Sequence, residues 1–366
     1  MSLGKKILLV FLPLFTLALA VAGLYAYMRR MPAPMARQIV RPAWTQPVLV
    51  EPGDAFEIVL HCKGKPEVER VAINNTAAPA ELEYKVKVDG VAFNEKTGRA
   101  VITVRAPKIT PAAVYDLSVW FRDGSMLLHD RQVNAVAVRE ARGGSFSFAV
   151  VSQFAFRADV DNPAQRRKKI RAVFEELNLM NPDFVVATGG ISEGIWTGSD
   201  DAQILHRLVE DHLQVPLFML PNEDDTGRVT LLGRTLRPAN ALWSRVAHDR
   251  RFRFRHRGVT FIGADTCSCA DRARRVIARN DSAPGCISAA ELKWVDNQLR
   301  TAARREMPAI LFTHHSPARA RWTSDQGLDV EVFEPQSQEK LLDLVRRHGA
   351  AAVFSGHVQR DTLERA

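Results

Sequence analysis

Lys5 and Lys6 precede an uncharged, mainly apolar stretch from Ile7 to Met28, and Arg29 and Arg30 follow it. A run of that length spans a bilayer. Ala18-Leu19-Ala20 and Ala20-Val21-Ala22 each fit the exit of a cleavable signal. The apolar run continues past both to Met28, and Tyr25 and Tyr27 suit a membrane interface. The pattern favours an uncleaved single-pass transmembrane helix in residues 1–30. Basic residues flank both ends, so charge alone does not orient it. The bulk of the chain is placed outside the cytoplasm because the next segment reads as an exported type of domain.

Residues 31–44, with Pro32, Pro34 and Pro42 and little periodicity, read as a linker. Residues 45–141 carry strand patterns. Phe56 to His61 is a short apolar run, Tyr84 to Val88 alternates, and Ala100 to Val104 and Val114 to Trp120 are rich in β-formers. Asp89-Gly90 and Asp123-Gly124 supply hairpin-type turns. Short strands with regular turns predict an all-β sandwich of immunoglobulin or fibronectin type, serving as a spacer or packing domain.

The texture changes after Arg142-Gly143-Gly144. Apolar runs at Phe146 to Ser152, Phe184 to Thr188, Val215 to Leu220, Val259 to Ala264, Ile310 to Thr313 and Ala351 to Ser355 predict buried strands. Between them, Ile170, Val173, Phe174 and Leu177 mark one helix, and Ile204, Leu205, Leu208 and Val209 another. A third opens at Ser288 with Glu291 as a capping box, and a fourth lies near Leu341 to Arg347. Strands alternating with helices make residues 145–366 an α/β layered domain. Ligands gather at the carboxyl ends of strands in such sheets. Polar clusters stand at these ends, after Val151, Thr188, Leu220, Thr313 and Ser355.

Composition narrows this little. The 366 residues are 46% hydrophobic and 25% charged, which is ordinary globular material in two or three domains. The net charge of +9 suits an anionic partner or a generally basic surface. Arg251, Arg253, Arg255 and Arg257 alternate with Phe252, Phe254 and His256, which reads as a strand with one solvated basic face. No nucleic-acid module surrounds it. The four cysteines form no CxxC pair, which excludes a zinc ribbon and a thioredoxin-type centre. One disulfide among Cys267, Cys269 and Cys286 suits an exported chain, with Cys267–Cys286 preferred, and Cys62 reads as buried. His206, His212, His248 and His256 are expected at the surface.

Five clusters in order carry a resemblance. They are Ser152-Gln153-Phe154-Ala155, Gly189-Gly190-Ile191-Ser192-Glu193-Gly194, Pro221-Asn222-Glu223-Asp224, His314-His315-Ser316-Pro317 and Gly356-His357-Val358-Gln359. Each follows an apolar strand, and together they resemble the calcineurin-like metallophosphoesterase family over roughly residues 146–366. The resemblance implies a two-metal phosphoric ester hydrolase, in which adjacent cations clamp an in-line attack on phosphorus. It also implies that the chain is truncated at its C-terminus, because the family fold continues beyond the last motif.

The ligand set departs from that family. Gln153 stands for the first aspartate and Ala155 for the first histidine. Gly190 stands for the bridging aspartate, Glu223 for the catalytic histidine, and Gln359 for the last histidine. Asn222, His314 (or His315 beside it) and His357 survive as metal ligands, with Glu223 as the candidate catalytic group. Two dications side by side without either family carboxylate are unfavourable by roughly several kcal/mol. The expectation is a membrane-anchored pseudoenzyme without the metal pair, binding a phosphate ester or a protein partner. The alternative is a hydrolase with a reworked site, holding one divalent metal ion on His314, His357 and Glu223 with water in an open position.

Overall fold

The computed structural model describes residues 16, 19, 23, 38–75, 82–140, 145–152, 154, 156–157, 162–193, 198–231, 234–237, 240–241, 243–247, 249–269, 273–275, 284–318, 321–323 and 329–357. The expected membrane helix falls outside them save for Thr16, Leu19 and Gly23. Among the described residues no helix is long and apolar enough to cross a membrane.

Nine strands come first: β1 (Ile39–Arg41), β2 (Val48–Val50), β3 (Ala55–His61), β4 (Glu67–Asn75), β5 (Leu82–Lys85), β6 (Lys87–Asn94), β7 (Arg99–Arg105), β8 (Ala113–Asp123) and β9 (Met126–Val138). They form two sheets, ordered β1-β3-β7-β6 and β2-β9-β8-β4-β5. Alternation along β3 and β7 turns Phe56, Ile58, Leu60, Ile102 and Val104 inward. There they meet Val71, Ile73, Leu117, Val119 and Phe121 of the other sheet in one core. Cys62 is buried in that core, as expected.

Asp123-Gly124 makes the expected turn, with Gly124 at φ 65° and Asp123 paired to Met126. Asp89-Gly90 does not. It lies inside β6, where the register against β7 slips between Val88 and Gly90, so the pair marks a bulge. The hairpin turns instead at residues 95–98, where Gly98 has φ 61°.

The second half alternates strand and helix. Its principal elements are β10 (Phe148–Val151), α1 (Pro163–Met180), β11 (Phe184–Ala187), α2 (Gly198–His212), β12 (Leu217–Met219), α3 (Glu223–Thr226), β13 (Phe252–His256), β14 (Val259–Ala264), α4 (Ala289–Ala303), β15 (Ala309–Thr313), α5 (Pro335–His348) and β16 (Ala352–Ser355). β10-β11-β12 is a parallel sheet. β13-β14-β15-β16 is a second sheet, parallel except for the antiparallel edge strand β13.

Three apolar cores define the layers. Phe174, Leu177, Leu205 and Val209 of α1 and α2 pack on one face of the first sheet. Val295, Leu299, Leu341 and Val345 of α4 and α5 pack on one face of the second. Between the two sheets lies an aromatic layer of Phe184, Phe218, Phe252, Phe261 and Phe312, with Phe148, Phe254 and Phe354 packed against it. The order is helix, sheet, sheet, helix, which is a standard way to bury both faces of two sheets. The Arg/Phe alternation of β13 resolves as read, with Phe252 and Phe254 in this layer and Arg253 and Arg255 exposed.

α4 corrects one local expectation. Ser288 caps it, accepting from Glu291 N at 3.2 Å. The carboxylate of Glu291 does not reach back to complete the box; it accepts from Asp265 N at 3.1 Å and Arg251 Nη1 at 2.7 Å.

Candidate metal centre

The carboxyl ends of β11, β12, β15 and β16 converge. β11 delivers Thr188 and Gly190, β12 leads into Asn222 and Glu223, β15 leads into His314 and His315, and β16 leads into Gly356 and His357. Glu223, His314, His315 and His357 each present a ligand-type atom, and these atoms lie within 4.8 Å of one another. His314 Nε2 is 3.0 Å from Glu223 Oε2 and 3.2 Å from His357 Nδ1. Glu223 Oε2 is 3.7 Å from His315 Nε2, and Glu223 Oε1 is 3.8 Å from His357 Nδ1.

His314 and His315 are oriented from behind. His314 Nδ1 donates to the carbonyl of Thr188 at 2.9 Å. That fixes the proton on Nδ1 and turns Nε2 toward the carboxylate. Thr266 Oγ1 lies 2.9 Å from His315 Nδ1 and accepts from His315 N at 3.2 Å. Backing of this kind orients metal-ligating imidazoles. His357 adopts φ 69°, a left-handed conformation that a side chain rarely takes and that local structure must hold in place. Gly356 before it allows the close approach. A Cβ at Gly356 would stand 2.8 Å from Thr188 Oγ1 and 3.0 Å from Ser152 O.

The electrostatics call for a positive charge. With Nδ1 of His314 protonated, a neutral ring would aim the Nε2 lone pair at a carboxylate oxygen. A second proton or a metal ion between them removes the conflict. Burial works to raise the pKa of Glu223. The hydrogen bond from His314 and the charges of His314, His357 and His315 outweigh it, so the carboxyl is held well below its ordinary value and is ionised.

The arrangement fits one ion. Metal–nitrogen and metal–oxygen bonds of roughly 2.1 Å place tetrahedral ligands roughly 3.4 Å apart. Four of the six pairwise separations are 3.0, 3.2, 3.7 and 3.8 Å, measured to one or the other Glu223 oxygen, around that value, and the whole set of ligand atoms lies within 4.8 Å. Three imidazoles and one carboxylate form a nitrogen-rich set suited to a zinc-type cation.

The sequence-predicted residues divide. Glu223, His314 and His357 come together, and His315, read only as the alternative to His314, joins them rather than replacing it. Asn222 has a structural engagement: its Oδ1 accepts from Asp225 N at 2.9 Å, and Asp225 Oδ2 accepts from Asn222 N at 3.2 Å. The two form a full capping box on α3. Gln153, Ala155 and Gln359 lie outside the described residues.

Gly190 has a neighbour that its sequence does not reveal. A Cβ there would lie 1.6 Å from Asp225 Oδ2 and 2.8 Å from Asn222 Cγ. The carboxylate of Asp225 thus occupies the space that a side chain at Gly190 would fill. It is held there by Asn222 N and by Ile191 N at 3.1 Å.

Two further expectations are corrected. The disulfide joins Cys269 to Cys286, with Cα atoms 5.6 Å apart, and Cys267 is free. Backbone pairing does set Cys267 opposite Cys286. The thiol of Cys267, however, lies among Asp265, Glu223 and Thr226, where burial first and then the neighbouring carboxylates push its pKa well up. His206 and His256 are not surface groups. His206 stacks edge-on to Trp44 at 5.3 Å, and His256 pairs with Asp183 at 3.2 Å.

No protein-family model matches this chain, and no curated protein matches it. Among solved structures, a purple acid phosphatase from yellow lupin seeds is similar at 12% identity and a TM-score of 0.47, covering 89% of this chain and 58% of that one. An amylomaltase from Corynebacterium glutamicum overlaps at 12% identity and a TM-score of 0.19, covering 46% of this chain and 23% of that one. Likenesses this distant carry no function over to this chain.

Proposed function

We propose that this chain is a membrane-anchored exported protein with a calcineurin-like phosphoesterase fold, a sandwich-type spacer, and one metal ion in place of two. In this reading it is a pseudoenzyme that binds a ligand or protein partner. The observation that carries it is the fate of the carboxylates. Glu223 is the one carboxylate in the cluster of candidate ligands, and Asp225, which fills the room beside Gly190, accepts from two backbone amides. Within the cluster itself, Glu223 is then the single carboxylate to offset the charge of two adjacent cations. Glu223, His314, His315 and His357 would hold the single ion, and a four-ligand set of this kind closes a site rather than leaving a position open. When bound, a zinc-type ion supplies Lewis acidity. The protein's own groups hold the carboxylate ionised and fix the imidazole orientations. The disulfide supports an oxidising compartment.

A second reading is a reworked single-metal hydrolase. The side chains of Glu223 and His357 retain 12% and 13% exposure, whereas those of His314 and His315 are fully buried. One edge of the cluster thus faces out, and release of Glu223 from the ion would free it as a general base. Metal analysis of the purified ectodomain, paired with a phosphodiester turnover assay, separates the readings. One ion per chain and no turnover is expected. Metal-dependent turnover that is lost in His357→Ala would establish the hydrolase, and two ions per chain would overturn the single-ion site.

A further inference from the structure

His315 is held by two short segments that neighbour each other. From one, Thr266 Oγ1 meets its Nδ1 at 2.9 Å. From the other, Gly285 packs on the ring so closely that a Cβ there would lie 2.5 Å from His315 Cγ and 2.9 Å from Nδ1. The segments are zipped together. Cys286 N donates to Thr266 O at 2.8 Å, Ser268 N donates to Cys286 O at 3.2 Å, and Ser288 N donates to Ser268 Oγ at 2.8 Å. The Cys269–Cys286 bond locks this zipper from one side. Gly285 is tied on the other side by its N–H to Val332 O and by Glu334 N to its own carbonyl, each at 2.8 Å. Phe333, between those two partners, places its ring 6.2 Å from that of His315.

We propose that the Cys269–Cys286 disulfide and Gly285 are positioning elements for His315, and that they thereby set the metal affinity of the site. The inference rests on the single-ion reading above. The physical reason is the shortness of the pairing. Three hydrogen bonds hold the two segments, and both sides of the pairing touch the ring. Opening the covalent link lets Gly285 withdraw from the imidazole, and Nε2 loses its fixed aim at the cluster. Loss of a group that orients a metal ligand typically weakens binding by about 10–100-fold.

The test uses Co2+ as the probe, read by its visible absorption and by competition with a chromophoric chelator, on the full ectodomain. Cys269→Ser with Cys286→Ser is expected to bind Co2+ about 10–100-fold more weakly than the wild type, with a spectrum indicating one fewer nitrogen ligand. Gly285→Ala, which keeps the disulfide, is expected to do the same by pushing the ring away. In a His315→Ala background neither change is expected to weaken binding further. A merely structural role would instead weaken binding equally in both backgrounds, and that outcome overturns the proposal, as does wild-type affinity in Gly285→Ala. If the serine pair fails to fold, Gly285→Ala alone decides. A wild type that binds no Co2+ overturns the single-ion reading, and this proposal with it. Wild-type binding with unaltered variants overturns this proposal only.

Discussion

At the scale of single residues, Asp265 carries a stored electrostatic cost. Its carboxylate is buried beside the cluster, with Oδ1 accepting from Cys267 N at 2.9 Å and Oδ2 3.0 Å from Arg250 Nη2. Burial raises its pKa more than Arg250 and the Cys267 amide lower it, and the net result is a carboxyl pushed up to about 6. The unfolded value is about 3.9, so the folded state binds this proton more tightly. The resulting stabilisation is fully present below the unfolded pKa and is lost as pH rises through about 6. Asp265→Asn imitates the neutral form and removes the titration. The stability of the wild type relative to that variant is expected to fall by about 3 kcal/mol between roughly pH 4 and pH 7, at 1.36 kcal/mol per unit, and then to level off. Urea unfolding at stepped pH measures it. Parallel profiles for the two proteins would show that the buried carboxylate is not the titrating group.

At the scale of elements, the joint between β9 and α2 is made by one asparagine. Asn134 stands at φ 48° in β9, and its Nδ2 donates to Val209 O and Leu213 O, each at 3.0 Å, at the carboxyl end of α2. Its own N–H donates to Asp116 Oδ1 at 2.8 Å. Helix carbonyls need such partners. Asn134→Ala removes the amide and also strains a left-handed backbone, so a loss of about 1–3 kcal/mol is expected. Asn134→Gly relieves the strain and should recover about 1 kcal/mol of it. Equal stability of both variants and the wild type in urea would mean the cap is idle. This joint shows why some elements were legible and others not. β3, β7 and β14 alternate or run apolar, so local pattern located them, whereas β9 mixes Asp130, Arg131 and Gln132 into its middle and was missed. Asp130 and Gln132 are buried for tertiary reasons: Asp130 Oδ2 accepts from Gln38 N and Ile39 N at 2.7 Å, and Gln132 Nε2 donates to Ile39 O at 3.1 Å. The same limit applied at the site. Strand ends and residue types pointed to Glu223, His314 and His357. Nothing in the local sequence signals that Asp225 fills the space beside Gly190, because that contact crosses from one strand end to another. The disulfide partner is likewise set by tertiary placement: Cys267 lies opposite Cys286 in the backbone pairing, but its thiol lies among Asp265, Glu223 and Thr226, and it is Cys269 that bonds Cys286.

At the scale of the whole molecule, the β unit and the α/β unit share side chains rather than merely touching. Trp44 and Val133 belong to the core formed by α1, α2 and the first parallel sheet. Trp44 Nε1 donates to Val246 O at 3.0 Å, and Met219 N, in β12, donates to Thr45 O at 2.9 Å. The backbone just before β2 thus extends the hydrogen bonding of a strand that leads into Glu223. Arg131 adds a polar clamp, pairing with Asp116 inside the β unit and with Glu210 of α2 at 2.9 Å. Burial lowers the Arg131 pKa, but the two carboxylates raise it further, so the net shift is upward and the clamp stays charged. A joint built from a shared core residue resists independent unfolding more than one built from surface pairs, whose worth is about 0–1 kcal/mol each. The wild-type protein is therefore expected to melt in one calorimetric transition, with equal calorimetric and van't Hoff enthalpies. Trp44→Ala removes the shared indole at a cost of about 3–5 kcal/mol. It should lower the melting temperature and resolve two transitions, one of them belonging to the α/β unit that holds Glu223, His314, His315 and His357. Two transitions in the wild type, or an unshifted single transition in the variant, would mean that the β unit only abuts the layer carrying the site and does not brace it.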